Sequence, residues 1–338
     1  MPESNLEPIS PKEGVKLYLQ NRRSELAKET IDSYGYKLTR FVEWCESEGI
    51  GNLNDLSGRN LLLFKQSRED NLSPVSVKGQ MDTLRSFIRF CESIEAVRQD
   101  LHNQVLSPSL NRSDRERDVL VEGEQAERVL SHLSRFEYAS RHHVMLTLLW
   151  RCGARSGTIR AFDVGDYNRE KARIEARHRP RTPLKNKENG ERIIALDTDV
   201  CKVLNDYVDH NREERVDEDD RRPLFTTQFG RVSKSTIRET CYRWTHPCQF
   251  NGGECPHDED VNTCQALSPP DKSPSVCPSS RSPHAWRRGA ITHHLTKDVP
   301  VEVVSDRMNV SPDVLEAHYD RRSEEVKVEQ RREYLNDV

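Results

Sequence analysis

Three short stretches carry side chains whose types and spacing suit chemistry on a phosphate ester. Ser282-Pro283-His284-Ala-Trp-Arg287 opens a helix, with serine as cap and proline in the first turn. His284 and Arg287 lie three residues apart and so share one helix face. Thirty-two residues past Arg287, Tyr319 closes the run Ser-Pro-Asp-Val-Leu-Glu-Ala-His-Tyr. Far upstream, Cys152-Gly153-Ala-Arg155 sets an arginine just after a glycine suited to end a helix, and Lys187 lies between the two regions.

An arginine guanidinium is a planar fork that pairs with two phosphate oxygens and stays protonated. Two of them would match the charge on the non-bridging oxygens of a five-coordinate transition state. A tyrosine phenol, with a reference pKa of about 10, is a weak nucleophile at neutral pH. It needs a polarised phosphate and a place for its proton. Each piece also has a plain structural reading: a surface arginine after a capping glycine, a helix-face His-x-x-Arg, a turn lysine.

Taken in chain order, these residues resemble the active site of the tyrosine recombinases, the phage-integrase and Xer-type enzymes. The resemblance implies that Tyr319 attacks DNA, leaving a 3′-phosphotyrosine and a free 5′-hydroxyl. Arg155 and Arg287 become the two phosphate clamps, and His284 takes an acid/base or phosphate-orienting role. Lys187 is the general acid for the departing 5′-oxygen, with Lys185 as its competitor two residues away. Tyr242 and Tyr334 are the other tyrosines to weigh, but only Tyr319 falls at the family's distance after His-x-x-Arg. Arg160 reads as a helix-face charge and Arg288 as out of register.

The sequence also departs from the family. Most members carry Leu-Gly-His shortly before the tyrosine, whereas this chain has Arg307-Met308-Asn309, ten residues before Tyr319. Asparagine can donate a hydrogen bond to a phosphate oxygen but cannot carry a proton as histidine does. His318, beside the tyrosine, is a candidate substitute.

The function implied is site-specific cleavage and rejoining of double-stranded DNA, as an integrase or resolvase, without ATP or catalytic metal. A homotetramer on two DNA sites is the expected assembly. The last helix, from Ser323, would pack on a neighbouring subunit or fold back on its own domain. Two alternatives remain open: a catalytically inactive sequence-specific DNA-binding protein on this scaffold, for which Asn309 speaks, and a type IB-like topoisomerase.

Such a site has to be positioned by a mainly α fold with a small β-sheet. Serine-initiated apolar periodicities predict four helices within 10–105, after a flexible tail at 1–9. This is the place of the family's helical core-binding domain. The polar stretch 106–121 reads as a linker, and 122–338 as the catalytic domain. There, helices are expected at 124–134, 138–152, 198–210 and 234–244. Further helices are expected at 284–296, 300–307, 312–319 and from Ser323. Arg173–Ala176 and Glu191–Leu196 read as two strands around a polar turn with Asn189-Gly190.

Composition sets the outer bounds. The chain has 338 residues and a net charge of −4, so phosphate binding must rest on local clusters. One such cluster, Arg169 to Arg192, holds nine Lys/Arg against four Glu, while acid gathers at Glu213–Asp220. No apolar run is long enough to span a membrane and the N-terminus lacks a signal pattern, so a cytoplasmic protein is expected. Nine cysteines then argue against a disulfide framework. Four of them, Cys248, Cys255, Cys264 and Cys277, cluster in an insertion at 245–282 that is rich in proline and poor in apolar residues. That composition suits a structural zinc site, with His257 able to replace one thiolate. The competing reading is an unstructured loop with free thiols.

Overall fold

The computed structural model describes residues 6–111, 119–250, 254–267, 273–320 and 322–335. It resolves into two compact units, Met1–Arg117 and Asp118–Val338. The expected tail 1–9 and linker 106–121 lie partly outside the described residues.

The first unit holds α1 (Pro11–Arg22), α2 (Lys28–Ser47), α3 (Gly58–Glu69) and α4 (Pro74–Ser93). Local chemistry sets their starts. Ser10 Oγ accepts from Glu13 N at the head of α1, and Ser57 with Asn60 forms a reciprocal capping box on α3. Aromatic rings fill the centre: Phe41 meets Phe64 and Phe87 edge-on, and Tyr18 does the same to Phe87. One buried acid, Glu92, is satisfied by the backbone and ring nitrogens of His102.

The second unit is built on α6 (Arg141–Cys152), buried on nearly every face and flanked by α5 (Gly123–Phe136) and the short α7 (Ser156–Ala161). Helix α6 starts at Arg141 rather than 138, because Ser140 Oγ caps it through His143 N. Beside it lies an antiparallel sheet of β1 (Tyr167–Asn168), β2 (Arg173–Ala176) and β3 (Arg192–Ala195), in that order. The β2–β3 register sets Ile174 against Ile194, both buried, while Ile193 faces solvent. Strand β1 had no sequence signal, being two residues long. A second small sheet pairs β4 (Thr226–Thr227) with β5 (Gly230–Arg231).

Helix α8 (Thr198–Asp206) ends earlier than its periodicity suggests, where the backbone widens into a turn at Tyr207–Asn211. Then come α9 (Lys234–Arg243), α10 (Pro283–Thr296), α11 (Val301–Met308), α12 (Pro312–His318) and α13 (Glu324–Leu335). Helix α13 touches its own domain: Gln330 donates to Leu295 O, and Arg322, just ahead of it, pairs with Asp320. No helix among the described residues is long and apolar enough to cross a membrane.

Helix α10 packs on α6 through Trp286 and Trp150, whose rings meet edge-on at 6.1 Å. Gly289 lets α10 lie against the segment ahead of α5 and against Trp150, since a Cβ there would lie 1.9 Å from Val121 O and 3.0 Å from the Trp150 ring. The insertion ahead of α10 has its ends drawn together, because Arg281 N donates to Thr245 Oγ1 and His246 Nε2 reaches Pro274 O.

Candidate active site

Four elements of the second unit converge: the α6–α7 corner, α10, and the C-terminal ends of α11 and α12. At the corner, Gly153 ends α6 with φ +53°, in the left-handed region where a side chain is strained. A Cβ there would also strike Met308 of α11, at 2.3 Å from its sulfur. The turn delivers Arg155 as the N-cap residue of α7, pointing toward the end of α11.

Arg287 comes from the first turns of α10 and is 1% exposed. Its guanidinium donates to Gly153 O and, at 3.5 Å, to Asn309 O. Arg155 donates to the same carbonyl at 3.1 Å and to Asn309 Oδ1 at 3.3 Å. Two like charges are thereby held on one residue, with no carboxylate among these contacts. Burial and the neighbouring Arg155 push Arg287 down to about 10. Burial likewise lowers Arg155.

Tyr319 caps the end of α12, 7% exposed, its carbonyl fixed by Thr292 Oγ1 at 2.9 Å. Its ring lies 5.6 Å from the Arg287 guanidinium carbon and 5.6 Å from the His284 ring, centre to centre. His284 keeps open surface. Partial burial, with Arg288, Arg287, Lys185 and Arg155 around it, pushes its imidazole down to about 4. At neutral pH it is therefore an uncharged acceptor or donor rather than a cation.

Asn309 ends α11 in the left-handed conformation, φ 50° and ψ 63°, which asparagine tolerates better than most residues. Its side chain reaches the loop between β2 and β3. Oδ1 accepts from Asn186 Nδ2 at 2.7 Å, and Nδ2 donates to Asn189 O at 2.9 Å. That loop carries Lys185 and Lys187, both exposed, with Lys187 at φ +50°. Five of the expected positions are thus drawn together: Arg155, His284, Arg287, Asn309 and Tyr319. Lys187 arrives only through its loop. Lys185 is the lysine whose charge acts on His284. The side chain of His318 lies outside what the structure describes, as does that of Tyr334.

Other residues in this frame carried no pattern that sequence reading could use. Arg192 donates to Arg307 O at 2.8 Å and to Gly190 O at 3.0 Å, tying β3 to the end of α11. Arg307 in turn donates to Arg151 O and Ala195 O. The loop's outer limb is anchored by Arg179, paired with Asp166 and Asp163, and by Arg160, which donates to Arg181 O at 3.0 Å. Arg160 is thus a tether rather than a bare surface charge. Only its type and the proximity of acids hinted at that.

In the insertion, burial together with Cys255 and Cys277 raises the Cys248 thiol. Cys264 sits in a turn, its N–H bonded to Asp260 O. His257 Nε2 is engaged with Ser279 Oγ at 2.8 Å. No group of three or more His, Cys, Asp or Glu side chains is arranged to hold a metal ion among the described residues.

Comparison with known proteins bears on both units. The model of the phage integrase N-terminal SAM-like domain matches residues 16–93. The N-terminal domain of a phage integrase/site-specific recombinase from Haloarcula marismortui is 32% identical, covering 30% of this chain and 99% of its own, with a TM-score of 0.30. The Tn1549 transposon integrase, in complex with transposon right end DNA, is 14% identical over 96% of this chain and 99% of that one, with a TM-score of 0.66. A lambda integrase dimer bound to a COC′ core site is 9% identical over 96% and 78%, with a TM-score of 0.60. No curated protein matches the sequence. By sequence, residues 16–93 match the phage integrase N-terminal SAM-like domain, and the fold runs the length of two integrases.

Proposed function

We propose that the protein is a site-specific DNA recombinase of the integrase type, cleaving and rejoining double-stranded DNA through Tyr319. The observation that carries this reading is the pair Arg155 and Arg287, both donating to one carbonyl beside a buried phenol. A pure DNA binder has no use for a phenol held there. A scissile phosphate supplies the negative charge that the two guanidinium groups lack, and each non-bridging oxygen finds a donor.

In the step proposed, Tyr319 Oη attacks phosphorus as the P–O5′ bond breaks, giving a 3′-phosphotyrosine and a 5′-hydroxyl. The phenol proton passes to neutral His284, and the leaving oxygen takes a proton from a lysine of the β2–β3 loop, Lys187 or Lys185. Rejoining runs the same steps in reverse with another strand's 5′-hydroxyl. No ATP or catalytic metal enters. The working assembly is a homotetramer on two DNA sites, in the cytoplasm.

Nicked duplexes from the DNA flanking the protein's own gene provide the test. Wild type should leave a denaturant-resistant protein–DNA adduct, while Tyr319→Phe should bind equally and leave none. Binding by both without an adduct would favour the inactive DNA-binding reading. Relaxation of an arbitrary supercoiled plasmid would favour the topoisomerase instead.

We also propose that the insertion binds a structural zinc ion through Cys248, Cys255 and Cys277, with Cys264 or His257 as the fourth ligand. Four cysteines and His257 within one short segment support it. So does the small apolar content of the segment, where Ala266 and Pro274 are among the few buried side chains. Elemental analysis of purified protein should find one zinc per chain, and its absence would remove the proposal.

A further inference from the structure

We infer that Asn309 is a positioning residue for the leaving-group proton: its amide clamps the lysine-bearing β2–β3 loop to the arginine pair. This rests on the recombinase reading above. The amide uses both of its ends on that task. Its oxygen is shared by Arg155 Nη1 and Asn186 Nδ2, at 3.3 and 2.7 Å, and its nitrogen donates to Asn189 O at 2.9 Å. Asn186 and Asn189 bracket Lys187, and Lys185 directly precedes Asn186. The loop tip, Lys187–Gly190, is therefore gripped at each end.

A second tie lies at its base, where Arg192 joins Gly190 O to Arg307 O, two residues before Asn309. The C-terminus of α11 thus holds the tip and the base of the loop together. The backbone carbonyl of Asn309 has a separate task, receiving both guanidinium groups. One residue so couples the clamp on the non-bridging oxygens to the loop that protonates the bridging one. The amide oxygen is also exchangeable, because a bound phosphate offers Arg155 a stronger acceptor while Asn186 and Asn189 keep the loop in place. A lone turn lysine, exposed and on a flexible stem, would otherwise sample many positions.

The variant that separates these tasks is Asn309→Gly. Glycine accepts the left-handed backbone at no cost, so the carbonyl that receives the arginines stays in place while the amide is lost. Single-turnover cleavage is measured on two duplexes, one natural and one with sulfur replacing the 5′-oxygen at the scissile bond. A thiolate leaving group, whose conjugate acid has a pKa of about 8.5, departs without a general acid. On the natural duplex Asn309→Gly should cleave about 10- to 100-fold more slowly than wild type, within the range of general-acid contributions. On the sulfur duplex it should come within about threefold of wild type, while Arg155→Ala stays slow on both because its loss is on the non-bridging oxygens. Limited trypsin digestion without DNA should cut after Lys185 or Lys187 several-fold faster in the variant.

An equal loss on both duplexes would overturn the inference and assign Asn309 to the phosphate itself. Unchanged cleavage on both would overturn it as well. Failure of wild type to cleave even the sulfur duplex it binds would refute the recombinase reading first. Unaltered trypsin sensitivity in Asn309→Gly would refute the loop clamp whatever the chemistry.

Discussion

Replacing Arg287 with methionine should make the DNA-free protein more stable while abolishing cleavage. Arg287 is 1% exposed, and no carboxylate is among its contacts. Its fall from 12.5 to about 10 corresponds to a charge-burial cost of about 3 kcal/mol. Methionine has similar length, no charge and enough flexibility to fill the space. The change forfeits the hydrogen bonds to Gly153 O and, longer, Asn309 O, together worth about 1–1.5 kcal/mol, and the contact with the Tyr319 ring, worth about 0.5–1 kcal/mol. The balance is a gain of about 1 kcal/mol, or about 2–4 °C in the unfolding midpoint of a unit this size. Thermal unfolding at low ionic strength, without phosphate or sulfate, reads it. Adding sulfate, a mimic of the missing phosphate, should raise the midpoint of wild type but not of the variant. A midpoint lowered by several degrees, together with an equal sulfate response in both proteins, would refute the view that this site is a cation pair waiting for an anion.

Three more expectations follow from the same contacts. Gly289→Ala puts a methyl group 1.9 Å from Val121 O, so it should destabilise the second unit by more than about 3 kcal/mol, seen as an early transition in urea unfolding. His142, His143, His284, His293 and His294 are all lowered, burial being the first cause for each. The unfolded chain therefore binds protons more readily below its ordinary histidine pKa of about 6.5, and stability should fall as pH drops from 7 toward 4 and be complete above 7. Denaturant midpoints at stepped pH check that sign, and a flat profile would contradict it. Burial lifts Cys45, Cys91, Cys152 and Cys241 well above the usual thiol range, so brief alkylation at pH 8 should spare them and mark the half-buried Cys201 ahead of them. Peptide mapping would show the order.

Much of this protein was legible in the sequence because the signals are local. Ser10, Ser57 and Ser282 each cap the helix that follows, which needs only a hydroxyl and the next turn's N–H groups. Apolar periodicity likewise located the helices of the first unit and the long α6. The two main strands could be read from Ile174 and Ile193-Ile194, because alternation is written into a half-buried strand. Arg155, His284, Arg287 and Tyr319 could be named because the spacing along one chain mirrors a known family.

What the sequence could not decide depends on residues far apart in the chain. Asn309 looked like a defect in a motif, yet folding sets it between Arg155, 154 positions away, and Asn186, 123 away. Nothing local marks Arg192, Arg160 or Arg179 as tethers, since an arginine's role is set by which carbonyl or carboxylate it meets. The lowered His284 and Arg287 follow from burial beside other cations, which exists only once α6, α10 and α11 pack together. Sequence determined which groups this site would use. Tertiary packing alone decided that two of its cations would share one carbonyl, and that the residue offering it would also hold the loop.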